Sequence, residues 1–169
     1  FGTAWSLSYL GLLEHFAGDN AAARAFIEQS LPMLRALHDQ WGTAVALAYL
    51  GRVASDEGDR SAAESMWKES LETCRTQGYL WCVPYLLEFL AGVAIAAGEM
   101  VRGVRLAGAA EALHETIGAP LPPVWHADHS RTENPIIRTL DEEVARVVRA
   151  RVVNPKWIAG AMRHGYKSA

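Results

Sequence analysis

Apolar positions recur at helical spacing along most of the chain, and short polar breaks separate them. Between Thr3 and Ala17, Ala4, Leu7, Leu10, Gly11 and Phe16 stand near that spacing, and Gly18-Asp19-Asn20 interrupts it. Glycine favours a helix C-terminus and Asp or Asn the next N-terminus, so a turn is expected there. A second helix is predicted over 21–37, with Ala22, Ala25, Phe26, Leu31 and Leu34 as its buried positions. Pro32 lies inside it and predicts a kink or an early end, because proline removes a backbone donor and crowds the preceding turn. Two further helices follow over 44–57 and 61–76, the latter with Met66, Trp67 and Leu71 facing inward. The last pair is expected over 83–97 and 100–117. Pro84 stands in a first turn, where its missing N–H costs little, and Gly118-Ala119-Pro120-Leu121-Pro122-Pro123 is the stop.

The same phrases return every forty residues. Leu50-Gly51 and Gly58-Asp59 answer Leu10-Gly11 and Gly18-Asp19, then Leu90-Ala91 and Gly98-Glu99. Gly2-Thr3-Ala4 pairs with Gly42-Thr43-Ala44, Ala22-Ala23 with Ala62-Ala63, Ser30-Leu31 with Ser70-Leu71, and Trp41 with Trp81. A fixed period of this kind signals a repeat architecture. The expected fold is all-α, with three α-hairpins over residues 1–124 and a helical tail over 125–169. Gly11, Gly51 and Ala91 share one position in the first helix of each hairpin, and Ala23, Ala63 and Gly103 share one in the second. Small side chains there let paired helices approach closely. Each fully buried Leu or Phe contributes roughly 1.5–3 kcal/mol, so one hairpin alone does not offset its ordering entropy and stacked hairpins are expected.

Composition adds limits. Half of the 169 residues are apolar, enough for a substantial core, yet no apolar run approaches the length of a membrane span and no secretory signal is visible. Two cysteines, Cys74 and Cys82, make no disulfide framework, which points to a reducing, cytoplasmic setting and to buried thiols. Phe1 in place of an initiator Met reads as a piece of a longer protein. Residues 1–128 carry 8 Lys/Arg against 15 Asp/Glu, whereas residues 129–169 carry 8 against 4. An acidic body of this kind is a poor partner for nucleic acid, which needs clustered positive charge.

The paired Leu-Gly, the Gly-Asp turn, the small residue early in the second helix and the later Ser-Leu resemble the tetratricopeptide repeat, at a period of forty instead of about 34 residues. The longer variant is similar to the helical repeats that close large ATPase-containing, LuxR-type bacterial transcriptional regulators. Leu106-Ala107-Gly108-Ala109-Ala110-Glu111-Ala112-Leu113, with Ile117 to Pro123, resembles their C-terminal ending. The resemblance implies a scaffold whose row of first helices receives a protein or peptide segment, or a neighbouring domain. By register that face carries Trp5, Ser8, Leu12 and His15, then Val45, Ala48, Arg52 and Ser55, then Tyr85 and Glu88. Trp5, Ser8, His15, Arg52, Tyr85 and Glu88 are its candidate partner-binding residues.

The tail departs from the period. Trp125 to Pro135 is polar, Thr139-Leu140-Asp141-Glu142 fits a capping box, and Val144, Val147, Val148 and Val152 line one side of the helix that should follow. Asn154-Pro155 predicts a second short helix carrying Trp157, Ile158, Ala161 and Met162. Asp128 to Pro135, Glu142 to Arg146, Asn154 to Ile158 and Arg163 to Lys167 resemble a segment of the cobaltochelatase large subunit. That family is related to the magnesium chelatase large subunit and inserts a metal into a tetrapyrrole with ATP hydrolysed by partner subunits. Ser168 stands where the family has Gly, and no catalytic role carries over to so short a segment. The two resemblances join near Val124-Trp125, as a natural fusion, a recombination scar or an artefact of assembly.

Sharper chemistry is thinly represented. His126, Asp128 and His129 lie within four residues of one another, with no fourth ligand at recognisable spacing, and read as loop polarity. No Walker loop, His-Glu-x-x-His or Gly-x-Ser-x-Gly motif occurs. Arg146, Arg149, Arg151, Lys156, Arg163 and Lys167 read as a solvated helix face. The expectation is a non-enzymatic interaction module with no cofactor, no metal and no membrane partner. Its alternative is a fragment of an ATP-dependent cobaltochelatase large subunit from cobalamin biosynthesis, inactive alone.

Overall fold

A computed structural model describes residues 2–118. Six α-helices follow one another: α1 (Gly2–Ala17), α2 (Asn20–Ala36), α3 (Gln40–Asp56), α4 (Arg60–Gln77), α5 (Val83–Ala96) and α6 (Met100–Ile117), with a 3-10 turn (Leu80–Cys82) ahead of α5. Among the described residues no strand occurs, and the chain is an all-α array of helical hairpins. It divides into two compact units, one holding α1–α4 and one beginning at Gly78 and holding α5 and α6. In the first unit α1 pairs with α2 and α3 with α4, while α2 lies along α3 and α1 touches α3. In the second, α5 pairs with α6. The predicted elements beyond Gly118 lie outside the described residues. So do the join near Val124-Trp125, the His126, Asp128 and His129 group, and the basic set from Arg146 to Lys167.

One turn design closes α1, α2 and α3. Gly18 has φ +88°; its N–H donates to the His15 carbonyl at 3.0 Å, and the Asp19 N–H donates to the Glu14 carbonyl at 2.9 Å. This pair of bonds is the Schellman ending, which satisfies carbonyls that a helix C-terminus leaves open. Asp19 then turns at once to the next helix, its carboxylate accepting from the Ala22 N–H at 2.9 Å. Helix end and helix start share two residues, so the unit of the chain is twenty residues, and forty is two of them. Left-handed backbone accordingly appears at Gly18, His38, Gly58, Gly78, Gly98 and Gly118. Asp39 and Asp59 cap as Asp19 does, accepting from Gly42 at 2.8 Å and Ala62 at 3.0 Å. Glu99, one methylene longer, makes no such bond.

The Asp39 cap moves the start of α3 to Gln40, four residues before the expected Ala44. Pro32 does not end α2 early, since the helix continues to Ala36. Its missing N–H would have bonded to Glu28, and both residues lie on the solvent side, where water can take that carbonyl. The inner stripe of α2 is also one step away from the expected set. Leu31 and Leu34 are buried, but Ala25 is exposed and Ala22 and Phe26 are half-buried; Ala23, Ile27 and Ser30 complete the interior. In α4 Trp67 faces inward as expected, whereas Met66 and Leu71 are half-buried. In α1 Leu10 and Phe16 face outward and Leu7 is half-buried.

The hairpins are held at places where backbones nearly touch. A Cβ on Gly11 would lie 2.5 Å from Ile27 Cγ1 and 2.9 Å from the Ala23 carbonyl oxygen. Forty residues on, a Cβ on Gly51 would lie 2.5 Å from Trp67 Nε1, and that indole donates to the Ala48 carbonyl at 3.0 Å. Ser30 Oγ donates to the Ala4 carbonyl at 2.6 Å and Ser70 Oγ to the Ala44 carbonyl at 2.7 Å, one buried cross-hairpin bond made twice. In the α5/α6 hairpin Ala91 stands in the glycine's place, and relief comes from the other helix. Gly103 there lacks a Cβ that would sit 2.3 Å from Ile95 Cγ1 and 3.1 Å from the Ala91 carbonyl oxygen.

Candidate protein-interaction surface

Side chains from α1 and α3 meet along the row of first helices. Trp5 Nε1 donates to Asp39 Oδ2 at 2.8 Å, while Asp39 Oδ1 holds the start of α3, so one carboxylate fixes an aromatic ring and a helix terminus together. At the other end His15 lies between Asn20 and Arg52. Arg52 Nη2 approaches His15 Nε2 at 3.2 Å, and a guanidinium only donates, so Nε2 is the acceptor. Nδ1 therefore carries the hydrogen and donates to Asn20 Oδ1 at 3.1 Å, with Asp56 Oδ2 3.7 Å away. The Arg52 guanidinium also sits 5.7 Å from the centre of the Phe16 ring, within cation–π range. Trp5 with Asp39, and His15 with Arg52, thus mark the two ends of a rim along α1 and α3.

The remaining candidates turn inward or belong to the second unit. Ser8 is 1% exposed; because Ser30 gives its hydrogen to Ala4, Ser8 donates to Ser30 Oγ, at 2.7 Å. Tyr85 is 5% exposed and meets the His114 ring edge-on at 5.0 Å. Glu88 Oε1 accepts from His114 Nε2 at 3.2 Å. Burial, reinforced by the negative charge of Glu88, pushes the Tyr85 phenol up to about 12. Leu12, Val45 and Ala48 are buried and Ser55 is half-buried. Among the described residues no group of three His, Cys, Asp or Glu side chains is placed to hold a metal ion. Both thiols are buried, and that of Cys82 donates to the Tyr79 carbonyl at 2.8 Å. No described helix is long and apolar enough to cross a membrane.

A further surface escaped the pattern of the sequence. Tyr9, Leu10, Leu13 and Phe16 of α1 are all exposed, Leu13 to 61%. Their signal was present, since α1 carries apolar residues on two sides and one partner helix covers only one of them.

Hairpins of this geometry, with a glycine at the close approach and an Asp cap beyond a left-handed turn, are decided by comparison with known families. Residues 2–76 match the tetratricopeptide repeat family. That match covers α1 to α4, the tetratricopeptide unit of the chain. A second match, to the CobN/Magnesium Chelatase family, covers residues 105–169 and begins inside α6. The chain is 61% identical over 62 residues to the aerobic cobaltochelatase subunit CobN of a Sinorhizobium species, covering 37% of this chain and 5% of that protein. It is 67% identical over 52 residues to the same subunit of Pseudomonas aeruginosa, covering 31% of this chain and 4% of that one. An uncharacterized protein of Methanocaldococcus jannaschii is 47% identical over 45 residues, 27% of this chain and 4% of its own length. The chain therefore spans about a twentieth of the curated relatives it matches. No solved structure matches it.

Proposed function

We propose that the chain is a non-enzymatic scaffold whose helical repeats hold a protein or peptide segment, or a neighbouring domain, in a cytoplasmic bacterial transcriptional regulator of the LuxR type. The observation that carries this reading is the rim of α1 and α3, tied by Trp5 to Asp39 at one end and by His15 to Arg52 at the other. The Arg52 guanidinium beside the Phe16 ring suits a segment bearing a carboxylate. The regulator assignment is supported by the phrase from Leu106 to Leu113 followed by Ile117 to Pro123. Residues 1–124 are proposed as the repeat domain and 125–169 as the tail. Although the chelatase match begins earlier, α6 still keeps the repeat register, with Gly103 forty residues after Ala63, Ala110 after Ser70, and the left-handed turn at Gly118. Selection of displayed peptides against the chain tests the scaffold. Acidic sequences should be enriched and should lose at least tenfold in affinity on Arg52→Glu; enrichment that ignores Arg52 and Trp5 would overturn the rim.

A second reading rests on its own observation, the 61% identity over 62 residues to a CobN subunit. In it the tail is a piece of a cobaltochelatase large subunit, with no turnover alone because metal insertion needs groups held by the whole fold. Titration with hydrogenobyrinic acid diamide followed by absorbance tests it. A saturable spectral change that survives in residues 105–169 supports the reading, and a flat response dismisses it.

A further inference from the structure

Three positions on the outer side of each hairpin's second helix behave alike in α2 and α4 and differently in α6. Glu28, Gln29 and Pro32 of α2 are exposed, and so are Lys68, Glu69 and Glu72 of α4. Forty residues on, Gly108 and Ala109 are half-buried and Ala112 is only 9% exposed. Ala110, the register mate of Ser30 and Ser70, is fully buried on the α5 side. Ala112 stands about 200° further round the helix, on the far side of α6 from Ala110. Among the described residues α6 packs against α5 and against the 3-10 turn that leads into α5. Small apolar residues thus replace polar ones where the other second helices meet water.

We infer that this outer face of α6 seats the chain's own segment 140–152, running parallel to α6. The segment brings an apolar side, since Leu140, Val144, Val147, Val148 and Val152 recur at helical spacing. Charge selects the direction. Arg105 and Glu115 are exposed at the two ends of the face, ten residues apart, and Asp141 and Arg151 are ten residues apart with the signs reversed. Setting Asp141 beside Arg105 brings Arg151 beside Glu115, roughly 15 Å further along both helices. The same alignment places Val144 opposite Gly108 and Val148 opposite Ala112, a branched side chain facing a small one, which lets helices approach closely. The reverse direction would put like charges together. Residues 119–139 reach roughly 70 Å when extended, well beyond the roughly 20 Å back from Gly118 to the start of the face. The forty-residue phrases do not continue beyond Gly118, so no further hairpin of the same register follows to take this place. The chelatase-family match, by contrast, begins at Arg105 and includes both the face and the segment. A tethered segment acts at roughly millimolar effective concentration, which favours it over a separate protein or a second copy. On this reading α6 is two-sided, closing the last hairpin with α5 and clamping the chelatase-like segment to the repeats.

Maleimide labelling of the full chain tests the inference, with Cys74 and Cys82 replaced by Ala. The thiol of Ala112→Cys should react at least tenfold more slowly than that of Glu72→Cys, its exposed register mate. Val144→Asp with Val148→Asp should speed labelling at 112 at least tenfold and leave labelling at 72 within twofold. Ala110→Cys, on the α5 side, should stay slow in the same variant. Should it become fast, α6 has come apart, and charge exchange decides instead: Asp141→Arg should speed labelling at 112, and adding Arg105→Asp should restore the slow rate. Fast labelling at 112 in the parent chain overturns the inference, as does slow labelling that survives the aspartates, or a charge exchange that restores nothing. Labelling at 112 that slows with rising protein concentration also overturns it, in favour of a second copy on the same face.

Discussion

At the scale of single residues, two positions carry most of the geometric risk. Gly51 lies against the Trp67 indole, and its substitution also threatens the bond from that indole to the Ala48 carbonyl. Forcing a larger side chain into a packed core costs typically 1–3 kcal/mol, and Gly51→Leu should reach or exceed the upper end, ~3 kcal/mol, because the indole in its way is buried and bonded to the Ala48 carbonyl. An unchanged melting temperature would contradict the packing described for α3 and α4. His38 is the converse case, a non-glycine residue at φ +54° in a place where the other turns have glycine. Left-handed backbone costs an L-residue roughly 1–2 kcal/mol, partly offset by the greater freedom that glycine has in the unfolded chain. His38→Gly should therefore stabilise by up to about 1 kcal/mol in urea denaturation. A loss of stability would mean that the imidazole makes a contact that outweighs the strain.

At the scale of elements, the caps decide where helices begin. Asp19 and Asp59 each hold one helix start, but Asp39 holds the start of α3 and also Trp5 of α1. Removing an N-cap side chain costs typically ~1 kcal/mol. Asp59→Ala should cost about that much and Asp39→Ala more, by roughly 0.5–1.5 kcal/mol for the additional hydrogen bond. Equal losses would show that the Trp5 bond contributes nothing. The sequence made these elements legible as far as local chemistry reaches. Six helices and the hairpin pairing follow from the apolar spacing and the Gly-Asp turns. The twenty-residue unit stayed hidden because His38 occupies a glycine's place and because Gly78 precedes Tyr79 instead of a capping acid. The start of α3 lies four residues ahead of the expected one because the Asp39 carboxylate caps it, and Gly42 in its first turn is where Leu34 needs room.

At the scale of the molecule, what the sequence could not display is which helix has neighbours. Leu10 and Leu50 are the same residue in the same phrase, yet one is exposed and the other buried, because α3 is flanked by α1 and α2 in addition to its own partner α4. The candidate rim was legible in part for the same reason. Trp5, His15 and Arg52 lie between α1 and α3 as their register places them, whereas Ser8 and Tyr85 share that register but are turned into their hairpins by Ser30 and His114. Charge follows the two matches, with the acidic body in the repeats and the basic excess in the region matching CobN/Magnesium Chelatase.

Equivalence of positions forty residues apart on α2 and α4 is the claim on which the repeat scaffold stands, and thiol accessibility measures it directly. In a background with Cys74 and Cys82 replaced by Ala, single cysteines at 23 and 63, 30 and 70, 28 and 68, and 29 and 69 would be labelled with a maleimide under native conditions. The first two pairs are buried and the last two exposed. Rates should agree within each pair, and the buried pairs should react at least a hundredfold more slowly than the exposed ones. Fast labelling at 63 or 70 beside slow labelling at 23 or 30 would show that α2 and α4 do not occupy equivalent places, and would contradict the repeat.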